Sequence, residues 1–106
     1  MKAFLDSGAE TNFVSAKAVK RAGLTLRTKQ DPYSLHVVNG EVMPGQFQIK
    51  QEARNVFMEI LGHTEEITLD YFGLAIHDVI LGLSWLREHN PRINWKKSQL
   101  LSLIHI

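Results

Sequence analysis

Apolar residues recur mostly at every second position along the chain, and helical spacing is confined to two short stretches. The first apolar run, Ala3-Phe4-Leu5, reads as a strand that ends at Asp6, and Ser7-Gly8 supplies turn chemistry after it. Asn12-Phe13-Val14 is again extended. In "SAKAVKRAG", Ser15 suits an N-cap, Ala18, Val19 and Ala22 share one side, and Gly23 stops the helix. Lys17, Lys20 and Arg21 fall on the other side, which reads as a solvated face.

Beyond Leu24 the pattern is that of strands. "YSLHVVNGEVMPGQF" places Asn39-Gly40 between apolar-rich arms, a hairpin signal, and Pro44-Gly45 adds a second break. "NVFMEIL", Gly62-His63 and "EEITLDYF" predict another hairpin, with Val56, Met58 and Ile60 on one face and Phe57, Glu59 and Leu61 on the other. "DVILG" is a continuous apolar strand closed by glycine. "LSWLREHNP" predicts two helical turns from Ser84, halted at Asn90-Pro91. "RINW", a turn at 96–98 and "QLLSLIHI" complete the chain as strands, the last suited to a core or an interface between subunits. The expectation is a mostly β domain with two short helices.

Length and charge narrow the picture. The 106 residues fit one domain, 1–106, with a modest core. A net charge of +1 gives no electrostatic reason to bind nucleic acid, and no apolar run approaches a membrane span. The absence of cysteine excludes disulfides, thiolate chemistry and cysteine-type zinc sites, and suits a reducing compartment such as the cytoplasm. The first residues do not read as a signal peptide. The five histidines are scattered, with no i, i+4 pair, so neither metal nor cofactor is expected. Trp85 and Trp95 are expected to pack helix on sheet.

The chemistry concentrates at "AFLDSGAE". Asp-Ser-Gly is ordinary turn sequence, but the apolar lead-in carries this carboxylate toward an interior, where it demands a partner or a shifted pKa. Two aspartates about 3 Å apart cannot both ionise, so one stays protonated and one charged, and the pair can hold and activate a water. Asp31, Asp70 and Asp78 are not followed by Ser/Thr-Gly, so a second such acid must come from another copy of the chain.

Three stretches together resemble the retropepsin-like aspartic proteases, particularly those of Ty3/Gypsy-type retrotransposons and their domesticated derivatives. "AFLDSGAETNFVS" is similar to the catalytic loop, "LHVVNGEVMPGQ" stands where the flap hairpin lies, and "DVILGLSWLREHNPRINW" is similar to the block that packs beneath the active site. The resemblance implies an all-β, closed retropepsin-like barrel with a flap hairpin and one or two short helices. It implies a homodimer that hydrolyses a polypeptide, the retroelement polyprotein, with one aspartate from each subunit and no cofactor. By position, Asp6, Ser7 and Gly8 form the catalytic triplet. Ala9, Glu10, Val37, Val38, Asn39, Gly40 and Ile80 contact substrate, and Gly82 permits close packing under the loop. Only five residues precede Asp6, so the family's N-terminal strand is expected to be truncated. The alternative is a dimeric, catalytically inactive peptide-binding module. Leu83 stands where viral members carry an arginine, and Arg87 is expected to pair with Glu10 in its place.

Overall fold

A computed structural model describes residues 1–6, 8–37, 45–60, 62–89 and 99–106, with the side chains of Val37 and residues 99–105 outside that description. Along the chain run β1 (Lys2–Asp6), β2 (Phe13–Val14), α1 (Ala16–Ala22), β3 (Arg27–Val37), β4 (Gly45–Ile60), β5 (His63–Tyr71), β6 (Val79–Leu81), α2 (Leu83–His89) and β7 (Gln99–His105). The strands form one sheet in the order β3-β4-β5-β2-β6-β1-β7. The end of β4 also pairs with β7, Glu59 opposite His105 and Ile60 opposite Ile104, so the sheet curls back on itself. The chain is therefore mostly β, with two short helices, as the alternation predicts.

Local sequence accounts for the elements. Ser15 Oγ accepts from Ala18 N at 3.0 Å and caps α1, while Gly23 takes φ 65° to end it, a conformation that costs glycine little. Gly62, at φ 75°, turns β4 into β5, with Ile60 opposite His63. Val56, Met58 and Ile60 are buried and Phe57 is exposed, the two faces the alternation assigns. The arms of the first predicted hairpin pair from Tyr33 opposite Ile49 to Val37 opposite Gly45; its tip, Asn39-Gly40, lies outside the described residues. "RINW" and Trp95 also lie outside them.

The two faces of β1 bury different things. Ala3 and Leu5 are fully buried and pair in register with Val79 and Leu81 of β6, so these side chains share the core with Met58, Leu69 and Trp85. Burying one such leucine contributes roughly 1.5–3 kcal/mol, which fixes the register, because a one-residue slip would expose Leu5 and Leu81 together. Phe4 and Asp6 occupy the opposite, half-open face.

Where β3 crosses β4 and β5, a charged cluster replaces apolar packing. Lys29 Nζ lies 2.7 Å from Asp70 Oδ1 and 3.2 Å from Glu52 Oε1; Tyr33 donates to Asp70 Oδ2 at 2.6 Å, and Arg54 pairs with Glu52. Burial alone would lower the Lys29 pKa, but its bonds to Asp70 and Glu52 outweigh that and raise it. Arg54, then Lys29, hold Glu52 below its ordinary value against the opposing effect of burial. Stability from Glu52 is therefore present above its unfolded pKa and lost as pH falls through the lower folded value. That from Lys29 is present below its unfolded pKa and lost as pH rises through the higher folded value. Lys29→Met leaves two buried carboxylates short of a cation, and we expect a loss of about 3 kcal/mol at pH 7. Denaturant unfolding should show that loss shrinking as pH falls through the lowered folded value of Glu52, where the Lys29–Glu52 pair no longer stabilises the wild type.

Candidate active site

Asp6 closes β1 on the sheet's half-open face. Its Oδ1 accepts from Gly8 N at 2.8 Å, and its backbone carbonyl accepts from Ala9 N at 3.2 Å, so the chain turns tightly around the carboxylate. A Cβ on Gly8 would stand 3.1 Å from that same Oδ1, so a side chain there would press on the acid. Ser7 lies outside the described residues.

The loop after Asp6 is seated on the β6–α2 junction. Leu83 N donates to Ala9 O at 2.6 Å and Ser84 N to Glu10 O at 3.2 Å, so loop carbonyls satisfy N–H groups that the first turn of α2 cannot bond internally. Asn12 ties two further elements: its Oδ1 accepts from Gly82 N at 2.9 Å and its carbonyl from Asp70 N at 2.9 Å. Gly82 is required sterically, because a Cβ there would fall 2.2 Å from Thr11 O and 2.7 Å from Ala9 O. The close packing expected of this glycine is what the structure has.

Beside the acid lies an apolar wall. Phe4 is in register with Ile80 and Ile80 with Phe13, so the three share the face of Asp6. Ile80 and Ala9, both half-buried, pack against a cluster of Phe13, Ile49 and Phe72, as do Tyr33, Leu35 and Phe47 from the arms of the β3–β4 hairpin. Phe72 anchors it, its ring 5.3 Å from that of Phe47 and 6.3 Å from that of Phe13. Half-buried apolar side chains next to a carboxylate suit a site that takes peptide side chains while the backbone pairs with strand edges.

Of the sequence-predicted site residues, the structure thus brings Asp6, Gly8 and Ala9 into one loop and sets Ala9 and Ile80 against one cluster. Glu10 is exposed and contributes its carbonyl to the seating of α2. Val37 ends β3 opposite Gly45, and Val38, Asn39 and Gly40 lie outside the described residues. The chain matches the family model of the PEG10/RTL1 protease domain over residues 2–104. It belongs to that family. The PEG10/RTL1 protease domain is a retropepsin-like domain derived from Ty3/Gypsy retrotransposons, which agrees with the resemblance carried by the three motifs.

One expectation within this protease domain needs correction: among the described residues no ion pair joins Arg87 to Glu10. Burial of Trp85, Leu86 and His89 sets the rotation of α2, which leaves Arg87 exposed, and backbone hydrogen bonds tie the loop down in place of a charge pair. Sequence reasoning missed Asn12, whose bond to Gly82 spans 70 positions, and the wall residues Tyr33, Leu35 and Phe47. The period of two in "YSLHV" and "QFQIK" was the available signal for the wall. No helix among the described residues is long and apolar enough to cross a membrane.

Proposed function

We propose that this domain is an aspartic endopeptidase that acts as a homodimer, with Asp6 of each subunit meeting at a twofold axis. The observation that carries the reading is Asp6 itself, held by Gly8 N–H at the mouth of a loop that Gly82, Leu83 and Ser84 fix in place, within a chain of protease family. In the monomer, among the described residues, no ion pair or hydrogen bond brings a second carboxylate to Asp6. The outer edge of β7 favours association: β7 pairs with β1 from Gln99 to Leu103 but with β4 only at Ile104 and His105, which leaves edge backbone groups for a second copy.

In such a dimer the two Asp6 carboxyls share one proton and hold a water. The charged member takes a proton as the water oxygen attacks the peptide carbonyl carbon, and the neutral member donates its proton to the carbonyl oxygen. Collapse of the tetrahedral diol breaks the C–N bond: the protonated member gives its proton to the departing nitrogen while the charged member takes one from a diol hydroxyl, which restores the shared-proton state. Ser7 braces the loops across the axis. Val37 to Gly40, at the flap, cover an extended polypeptide whose side chains rest on Ala9 and Ile80. The substrate is a retroelement-type polyprotein met in the cytoplasm.

Sedimentation combined with cleavage of a peptide library tests this. Activity per chain should rise with protein concentration, level off as dimer saturates, and be blocked by a pepstatin-type inhibitor. A protein shown to be dimeric that cleaves nothing and binds no such inhibitor would refute the enzyme, and retention of peptide would then identify a binding module.

A further inference from the structure

Two of the histidines that look scattered in sequence, His63 and His89, meet in space. His63 and Glu65 stand two residues apart on β5 and so on one face of it, and His89, the last residue of α2, is buried against them. His89 Nε2 lies 3.2 Å from His63 Nε2 and 3.4 Å from Glu65 Oε1, and His63 Nε2 lies 3.8 Å from that same oxygen. Tetrahedral zinc with bonds of about 2.0–2.2 Å to nitrogen and oxygen separates its ligands by about 3.3–3.5 Å. The three atoms already stand close to that spacing.

The surroundings prepare each ligand. His89 Nδ1 is 2.9 Å from Trp85 O, and a carbonyl can only accept, so the ring proton sits on Nδ1 and the Nε2 lone pair faces the cluster. Trp85 Nε1 donates to Glu65 Oε1 at 2.5 Å, and the Trp85 ring stacks on His89 at 4.1 Å between centroids. One tryptophan therefore orients two of the three ligands, the kind of outer support that metal-binding histidines and carboxylates have. His63, 34% exposed in its side chain, leaves access from solvent.

We propose that His63 Nε2, Glu65 Oε1 and His89 Nε2 bind one Zn²⁺ per chain, with water completing the tetrahedron. Nitrogen and carboxylate donors without sulfur suit zinc among the common divalent ions. His63 places its proton on Nδ1 to free Nε2 for the metal. The ion links the start of β5 to the end of α2, whose first N–H groups hold Ala9 and Glu10, and so braces the platform beneath the acidic loop. No residue is shared with the Asp6 site, and the proposal holds whether or not the domain cleaves peptides.

The test is titration of the chelator-treated, folded chain with ZnCl₂ alone, followed by calorimetry and thermal unfolding. We expect one site per chain with a Kd of about 10 μM or tighter, and a midpoint rise of about 10 °C at zinc 100-fold above Kd. Co²⁺ should give the visible bands of a tetrahedral site. His63→Ala, at a half-exposed position that leaves the core intact, should weaken binding at least about 100-fold, and Trp85→Phe about 10–100-fold. Absence of binding to the folded wild-type chain, or binding that His63→Ala leaves unchanged, would overturn the proposal in favour of a metal-free hydrogen-bonded cluster.

Discussion

Asp6→Asn is expected to abolish peptide hydrolysis while leaving the fold and the dimer intact. An amide cannot take a proton from water or pass one to a carbonyl oxygen, and symmetry removes both carboxyls in one substitution. General base and general acid contributions of about 10²–10⁴ each disappear together, so the rate should fall by more than about 10⁴. The fold should survive because Asp6 is only half-buried and an asparagine Oδ1 can still accept from Gly8 N–H. Two neutral amides at the axis also avoid the repulsion between like charges, so the variant dimer should be at least as stable as the wild type. Mixing makes the requirement for two acids visible. With random exchange of subunits, an equal amount of Asp6→Asn should cut wild-type activity to about half, because each mixed dimer holds one carboxyl. Activity undiminished by mixing would mean that one subunit suffices, and the symmetric mechanism would be wrong.

What could be read from the sequence was what is decided locally. Ser15 and Gly23 cap α1 with contacts inside a few residues, and Gly62 turns a hairpin between adjacent strands; both were legible. Pro32 was not legible as strand, since proline lacks a ladder donor. It is accommodated because the pairing of β3 with β4 is irregular between Thr28 and Tyr33. Asn55 likewise marks the start of a strand in the sequence, whereas β4 begins at Gly45 and passes through a bulge where Asn55 takes φ 55°. That bulge lies in the pairing with β5, between Ala53 opposite Leu69 and Val56 opposite Ile67, partners that a short window around Asn55 does not contain.

The candidate site divides in the same way. Asp6, Gly8 and Gly82 stand in contiguous motifs and could be named in advance. The amide of Asn12 acquires its role only when β6 is laid beside the loop, and His63, Glu65 and His89 converge only when α2 packs against the start of β5. Glu65 in particular reads as one more polar residue on an alternating strand until Trp85 reaches it.

Gly82→Ala should be the most damaging added methyl group among the described glycines. The position does not have the positive φ that favours glycine, so the penalty is steric. A Cβ would sit 2.2 Å from Thr11 O, 2.7 Å from Ala9 O and 2.9 Å from Thr11 C, all backbone atoms that no rotamer can move. Relief has two routes. The loop can lift, which breaks the bonds from Leu83 N to Ala9 O, Ser84 N to Glu10 O and Gly82 N to Asn12 Oδ1. Alternatively β6 can shift, which disturbs its register with β1 and β2 and the burial of Val79 and Leu81. Either route should cost more than about 4 kcal/mol, a large share of the stability of a domain this size. Asn12→Ala leaves the space intact and removes only the acceptor for Gly82 N, so it should cost about 1–3 kcal/mol. Urea unfolding of the two variants should give that order, with Gly82→Ala by far the weaker. If Gly82→Ala came within about 1 kcal/mol of the wild type, the acidic loop could not be resting on the β6–α2 junction.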